Sequence, residues 1–134
     1  MPKSILPKMK WREGKDWDVF VRDKYTCRYC GLSMTTLNEM GYVNRWDLFI
    51  ADHLKCRNLK GSKGGPDEVI NLVTTCMGCN RIKGYTFDRA YKGPAPTTLE
   101  EQEKLVQQVN ECIQAERKKW VDDCIAMQKE AGLV

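Results

Sequence analysis

The chain has 134 residues, of which 42% are hydrophobic and 30% charged, with a formal net charge of +4. That length fits one domain with a modest core and leaves room for an appended helix. No run of about 20 apolar residues is present, which excludes a membrane-spanning helix, and seven cysteines, an odd number, argue against a closed disulfide framework.

Residues 1–10, with Pro2, Pro7 and scattered lysines, read as a basic N-terminal arm, either disordered or laid along a nucleic-acid backbone. They hold no apolar run long enough for a signal peptide, so the expected address is the cytoplasm of a bacterium or a phage-infected cell. Trp17, Phe20 and Val21, at i, i+3 and i+4, predict a short amphipathic helix over 14–24. It leads into a first C-x-x-C pair, Cys27 and Cys30, followed by Gly31 where a tight knuckle turn favours a residue without Cβ. Thr35 to Gly41 can add a helical turn.

Residues 46–52 read as a strand ending at Asp52-His53, and His53 is the only histidine. Lys55 to Asp67, with Gly61, Gly64, Gly65 and Pro66, has the chemistry of a long loop. Val69 to Thr75 is rich in β-branched residues and predicts a second strand, which contains Asn71. A second C-x-x-C pair, Cys76 and Cys79, runs into Asn80, where a short helix to Gly84 is expected. Strand, loop, strand, knuckle and helix make a compact ββα unit. Gly93-Pro94-Ala95-Pro96 breaks the chain, and Thr97-Thr98-Leu99-Glu100-Glu101 starts a helix, because either threonine finds a glutamate three residues on. From Leu99 to about Glu130 one long helix, or two with a bend, carries Val106, Val109, Ile113, Trp120, Cys124 and Met127 at spacings near 3.5. That stripe packs on its own domain or pairs with a second copy or a partner protein. The expected organisation is thus an arm at 1–10, a zinc-braced domain at 11–92 and a helical extension at 93–134.

Two C-x-x-C pairs far apart in sequence can close one tetrahedral zinc site, so Cys27, Cys30, Cys76 and Cys79 are the expected ligands. Four thiolates leave no open coordination position, which makes this zinc structural. Cys112 and Cys124, about 18 Å apart along one helix, cannot bridge to each other and read as small hydrophobes. Residues 53–92 hold eight Lys/Arg against three Asp/Glu, whereas 93–134 hold five against eight. Positive charge beside the cysteines and the histidine favours a polyanionic partner, of which nucleic acid is the commonest. Lys55, Arg57, Lys60, Lys63, Arg81 and Lys83 are the candidate phosphate contacts. His53 is the one side chain with a natural pKa near neutrality, and so the candidate general base for a water nucleophile.

Asp52-His53, Ser62-x-Gly64-Gly65, Asn71 and Cys79-Asn80-Arg81-x-Lys83-Gly84 occur in one order over roughly residues 11–87, and together they resemble the HNH endonuclease family. The departure is at the last motif position, where Asn80 stands in place of the family's second histidine. The resemblance implies a ββα-metal finger within a small α+β fold, braced here by the four-cysteine site and flanked by helices. It also implies metal-dependent DNA cleavage leaving 5′-phosphate and 3′-hydroxyl ends, nicking or weakly sequence-specific. In that scheme Asp52 and Asn80 bind one catalytic Mg²⁺ or Mn²⁺, His53 activates water, and the Asn71 amide bonds the loop backbone to fix His53. The alternative from another class is a non-catalytic, zinc-stabilised DNA-binding or scaffold module.

Overall fold

The computed structural model describes residues 14–42, 45–57 and 64–133, without the Trp46 side chain. The N-terminal arm, Ser62, and the candidate phosphate contacts Lys60 and Lys63 lie outside the described residues.

The described chain is a small α+β arrangement around one two-stranded antiparallel sheet. Helix α1 (Gly14–Arg22) and helix α2 (Met34–Glu39) precede strand β1 (Phe49–His53). Strand β2 (Leu72–Cys76) leads directly into α3 (Met77–Tyr85), then α4 (Phe87–Ala90) and the 32-residue α5 (Leu99–Glu130). In the sheet Phe49 faces Cys76, Asp52 faces Val73 and His53 faces Leu72.

α1 buries Val19 and Phe20, whereas Val21 stays half exposed, so its apolar face is offset from the expected one. Its last residue, Arg22, donates to the carbonyls of Val69 (3.1 Å) and Leu72 (2.6 Å). Both strands are shorter than their sequence suggests. Trp46–Leu48 and Val69–Asn71 are 3₁₀ turns, so β1 starts at Phe49 and Asn71 precedes β2. The reason is visible in the carbonyls: Val69 is bonded by Arg22, and Ile70 by Gln102 Nε2 at 2.8 Å. Side chains take the acceptors that a longer ladder would have used.

β2 is buried along its whole length. One edge pairs with β1, and the other is satisfied by the segment after α1. There Asp23 accepts from the Thr74 amide at 2.8 Å, and the Arg28 amide donates to the Thr74 carbonyl at 2.9 Å. Asp23 is buried, and burial opposes its charge. Hydrogen bonds from Arg22 and Thr74, with the Arg22 and Arg28 charges, outweigh that and hold its pKa below the ordinary carboxylate value.

α5 is one continuous helix. Thr98 caps it by accepting from the Glu101 amide at 3.1 Å, and Glu101 in turn bonds Thr97. Leu105, Val106, Val109 and Ile113 enter the same core as Phe20, Leu54, Val73, Ile82 and Phe87. The first half of α5 is therefore part of the domain core. Beyond Ile113, Glu116, Arg117 and Trp120 alone among the described residues are partly covered. No helix among the described residues is long and apolar enough to cross a membrane.

Candidate functional site

The two knuckles meet. The Sγ atoms of Cys27, Cys30, Cys76 and Cys79 all lie within 4.8 Å of one another, and Cys30 and Cys76 are 3.7 Å apart. A tetrahedral thiolate site with Zn–S bonds of about 2.3 Å has sulfur–sulfur edges of about 3.8 Å. The cluster therefore fits a metal ion such as zinc. Cys27, Cys30, Cys76 and Cys79 form no disulfide, so none competes for these sulfurs.

Local backbone explains the geometry. In the first knuckle Gly31 adopts φ 80°, and the Cys27 amide donates to the Leu32 carbonyl at 2.8 Å. In the second, Cys76 is the N-cap of α3, its sulfur accepting from the Cys79 amide at 3.4 Å. This makes α3 begin at Met77, three residues before the expected start. The Cys30 amide points likewise at Cys27 Sγ, 3.5 Å away. Hydrogen bonds from Cys30, Cys76 and Cys79 hold the Cys27 thiol far below its ordinary pKa. α5 also reaches the cluster: Arg117 Nη2 donates to Cys79 Sγ at 3.0 Å. Nothing in the spacing of the cysteines pointed to Arg117, which lies 38 residues beyond Cys79.

A second polar cluster sits under the end of β1. Lys83 is 0% exposed, and its ammonium donates to the His53 carbonyl (2.8 Å) and Asp88 Oδ1 (2.6 Å) while lying 3.1 Å from Asp52 Oδ2. This corrects the expectation that Lys83 contacts phosphate. Two carboxylates and a carbonyl hold it inside the fold, the pairing that a buried ammonium requires. The Asp52–Lys83 contact has ionic distance without hydrogen-bond geometry, so Asp52 Oδ2 is buried with no donor. Burial raises the Asp52 pKa above its ordinary value, with Lys83 working against the shift. Tyr29 Oη is also buried without a hydrogen bond, and burial together with the Asp52 charge pushes its pKa well up. Neither Asp88 nor Tyr29 carries a motif signal.

His53, with a side chain 24% exposed, closes β1 on the opposite side. Its Nε2 lies 2.9 Å from Asp67 Oδ1, and its Nδ1 bonds no described residue. Asp67 Oδ2 is held by Lys15 of α1 and approached by Arg57 at 3.6 Å. The Asp67 carboxyl is drawn down to about 2 by hydrogen bonds from Lys15 and His53. Sequence reasoning missed Asp67, which stood out only as the acid ending a basic loop.

Asn71 is fully buried and clamps the chain just beyond His53. Its Oδ1 accepts from the Lys55 amide (3.0 Å), and its Nδ2 donates to the carbonyls of Lys55 (3.1 Å) and Pro66 (2.9 Å). Gly65 allows this approach, since a Cβ there would stand 2.2 Å from the Lys55 carbonyl oxygen and 2.7 Å from Asn71 Nδ2. The Lys55 ammonium donates to the Gly93 carbonyl at 2.7 Å and the residue is buried, so Lys55 too is internal rather than free for phosphate. Arg57 and Arg81 are exposed. Asn80 is half-buried on α3, and its side chain makes no hydrogen bond to another described residue.

The arrangement thus pairs His53 with Asp67 and gathers Asp52, Lys83 and Asp88, while Asn71 ties the backbone at Lys55 and Pro66, which lie between His53 and Asp67 in sequence. The chain matches no family model, and no similar curated protein or solved structure is found.

Proposed function

We propose that this chain is an HNH-type endonuclease that hydrolyses DNA phosphodiester bonds. The observation that carries the reading is the His53 corner. The chain's sole histidine stands at the end of β1 with Nδ1 unbonded by any described residue, and the Asn71 amide locks the backbone beyond it.

His53 takes the proton from a water at Nδ1 as the water oxygen attacks phosphorus. The bond from phosphorus to the 3′ oxygen breaks, solvent protonates the leaving oxygen, and the 5′-phosphate remains. Arg57 and Arg81, both exposed, contribute charge for the DNA backbone, with Lys60 and Lys63 proposed beside them. The four-cysteine centre with its zinc is structural and closed.

Asp52 and Asn80 offer the donor types that a hard divalent cation takes: a buried carboxylate, its Oδ2 now 3.1 Å from the Lys83 ammonium that the cation would replace, and a half-buried amide without a partner among the described residues. Mg²⁺ or Mn²⁺ held there would neutralise charge growing on the phosphate and leaving oxygen.

One observation favours the second reading, a zinc-stabilised DNA-binding or scaffold module. Asp52 and His53 are both engaged internally, by Lys83 and Asp67. Supercoiled plasmid incubated with the protein and Mg²⁺ or Mn²⁺ separates the two. The nuclease reading expects conversion to nicked circles that EDTA stops. Retarded but uncut plasmid would support the module instead.

A further inference from the structure

We propose that Asp67 is the positioning residue for His53: its carboxylate fixes the imidazole with the proton on Nε2 and leaves Nδ1 as the basic lone pair. This rests on the reading of His53 as the general base, and Asp67 belongs to none of the motifs that suggested that reading.

The argument is one of donors and acceptors. Asp67 Oδ1 stands 2.9 Å from His53 Nε2. Lys15 and His53 hold the Asp67 pKa down to about 2, so near neutrality the carboxylate is ionised and can only accept. A hydrogen bond at Nε2 then requires an N–H there. In the neutral ring that is the single proton, and Nδ1 is left to accept one. The two carboxylate oxygens divide their work. Oδ1 serves His53, while Oδ2 is anchored by Lys15 and neighboured by Arg57 at 3.6 Å. Lys15 comes from α1 and His53 from β1, so Asp67 is held between two elements of the fold and does not hang from its own loop. The Asn71 amide fixes the neighbouring Pro66 carbonyl at 2.9 Å, which limits how far Asp67 can swing. A ring aimed in this way meets its water without first losing rotational freedom, and that aim affects the chemical step rather than DNA binding.

The test uses the zinc-loaded full chain with two variants, Asp67→Ala and Asp67→Asn. His53 is the only histidine, so its ring nitrogens give an unambiguous ¹⁵N NMR signature. The wild type should show a downfield, slowly exchanging proton on Nε2. Asp67→Ala should lose it, and Asp67→Asn, which keeps an acceptor oxygen, should retain it. On plasmid, kcat of Asp67→Ala should fall about 10- to 100-fold with KM within about two-fold, part of the general-base contribution. Asp67→Asn should recover much of that loss. A wild type without the Nε2 proton signal, or Asp67→Ala with unchanged kcat, would overturn the proposal. If the wild type cuts nothing, the nuclease reading falls, and the spectrum alone decides the pairing: an Nε2 signal unchanged in Asp67→Ala overturns it.

Discussion

Asn71 shows how much one buried amide can organise. It makes three hydrogen bonds to the backbone of two segments that share no strand pairing, at Lys55 and Pro66. Asn71→Ala would leave those buried groups without partners and should cost about 3 kcal/mol, read as a lower urea midpoint. At the Asp67 carboxyl the prediction concerns pH. Its folded pKa of about 2 lies below the ordinary 3.8, because Lys15 and His53 bond the ionised form. Ionised Asp67 therefore adds stability above pH ~4, and this is lost as the pH falls toward ~2. A carboxyl NMR titration should find Asp67 near 2 and Lys15→Met should move it upward; a wild-type value near 3.8 would mean that the cluster does not form. At this scale sequence reading worked for residues defined by local chemistry. The four cysteines stood out by their spacing, and their sulfurs meet. It failed for Lys83 and Lys55, because a lysine's burial depends on partners that only folding supplies: the His53 carbonyl and the Asp52 carboxylate, beside nearby Asp88, for the one, and the Gly93 carbonyl for the other.

Among the elements, the second knuckle does two jobs, since Cys76 ends β2, caps α3 and offers a sulfur to the metal site. Arg117 couples α5 to that site through Cys79, and Arg28 of the first knuckle pairs with Glu103 of α5 at 2.7 Å. Outer-shell donors of this kind tune metal retention. Arg117→Met should release zinc to a chelator about 10-fold faster, followed by a chromogenic dye, with zinc stoichiometry unchanged under mild conditions. An unchanged release rate would show that the guanidinium does not hold the thiolate. The start of α5 at Thr98 was legible from its cap, whereas α4 (Phe87–Ala90) carried no such signal and α3 begins three residues before its expected start. The first residues of each expected strand were not. A β-branched run such as Val69-Ile70 fits a strand equally well until Arg22 and Gln102 take its carbonyls.

Over the described residues, Cys27, Cys76 and Cys79 of the cluster, the two-stranded sheet and the first half of α5 share one core, so the C-terminal helix braces the candidate site. The distal half of α5 leaves Val121, Ile125 and Met127 exposed. The β-branched runs, the turn-rich loop and the helix start at Thr98 made the small α+β arrangement readable, whereas the docking of α5 on α3 required Arg117, Trp120 and Tyr85 to meet across the fold. In the proposed nuclease this frame serves His53 as the general base. Nicking of supercoiled plasmid by wild type and His53→Ala, compared at equal zinc content with Mg²⁺ or Mn²⁺, tests it most directly. The wild type should nick in a metal-dependent way, and the variant should lose at least about 100-fold. Equal nicking by the two proteins would contradict it.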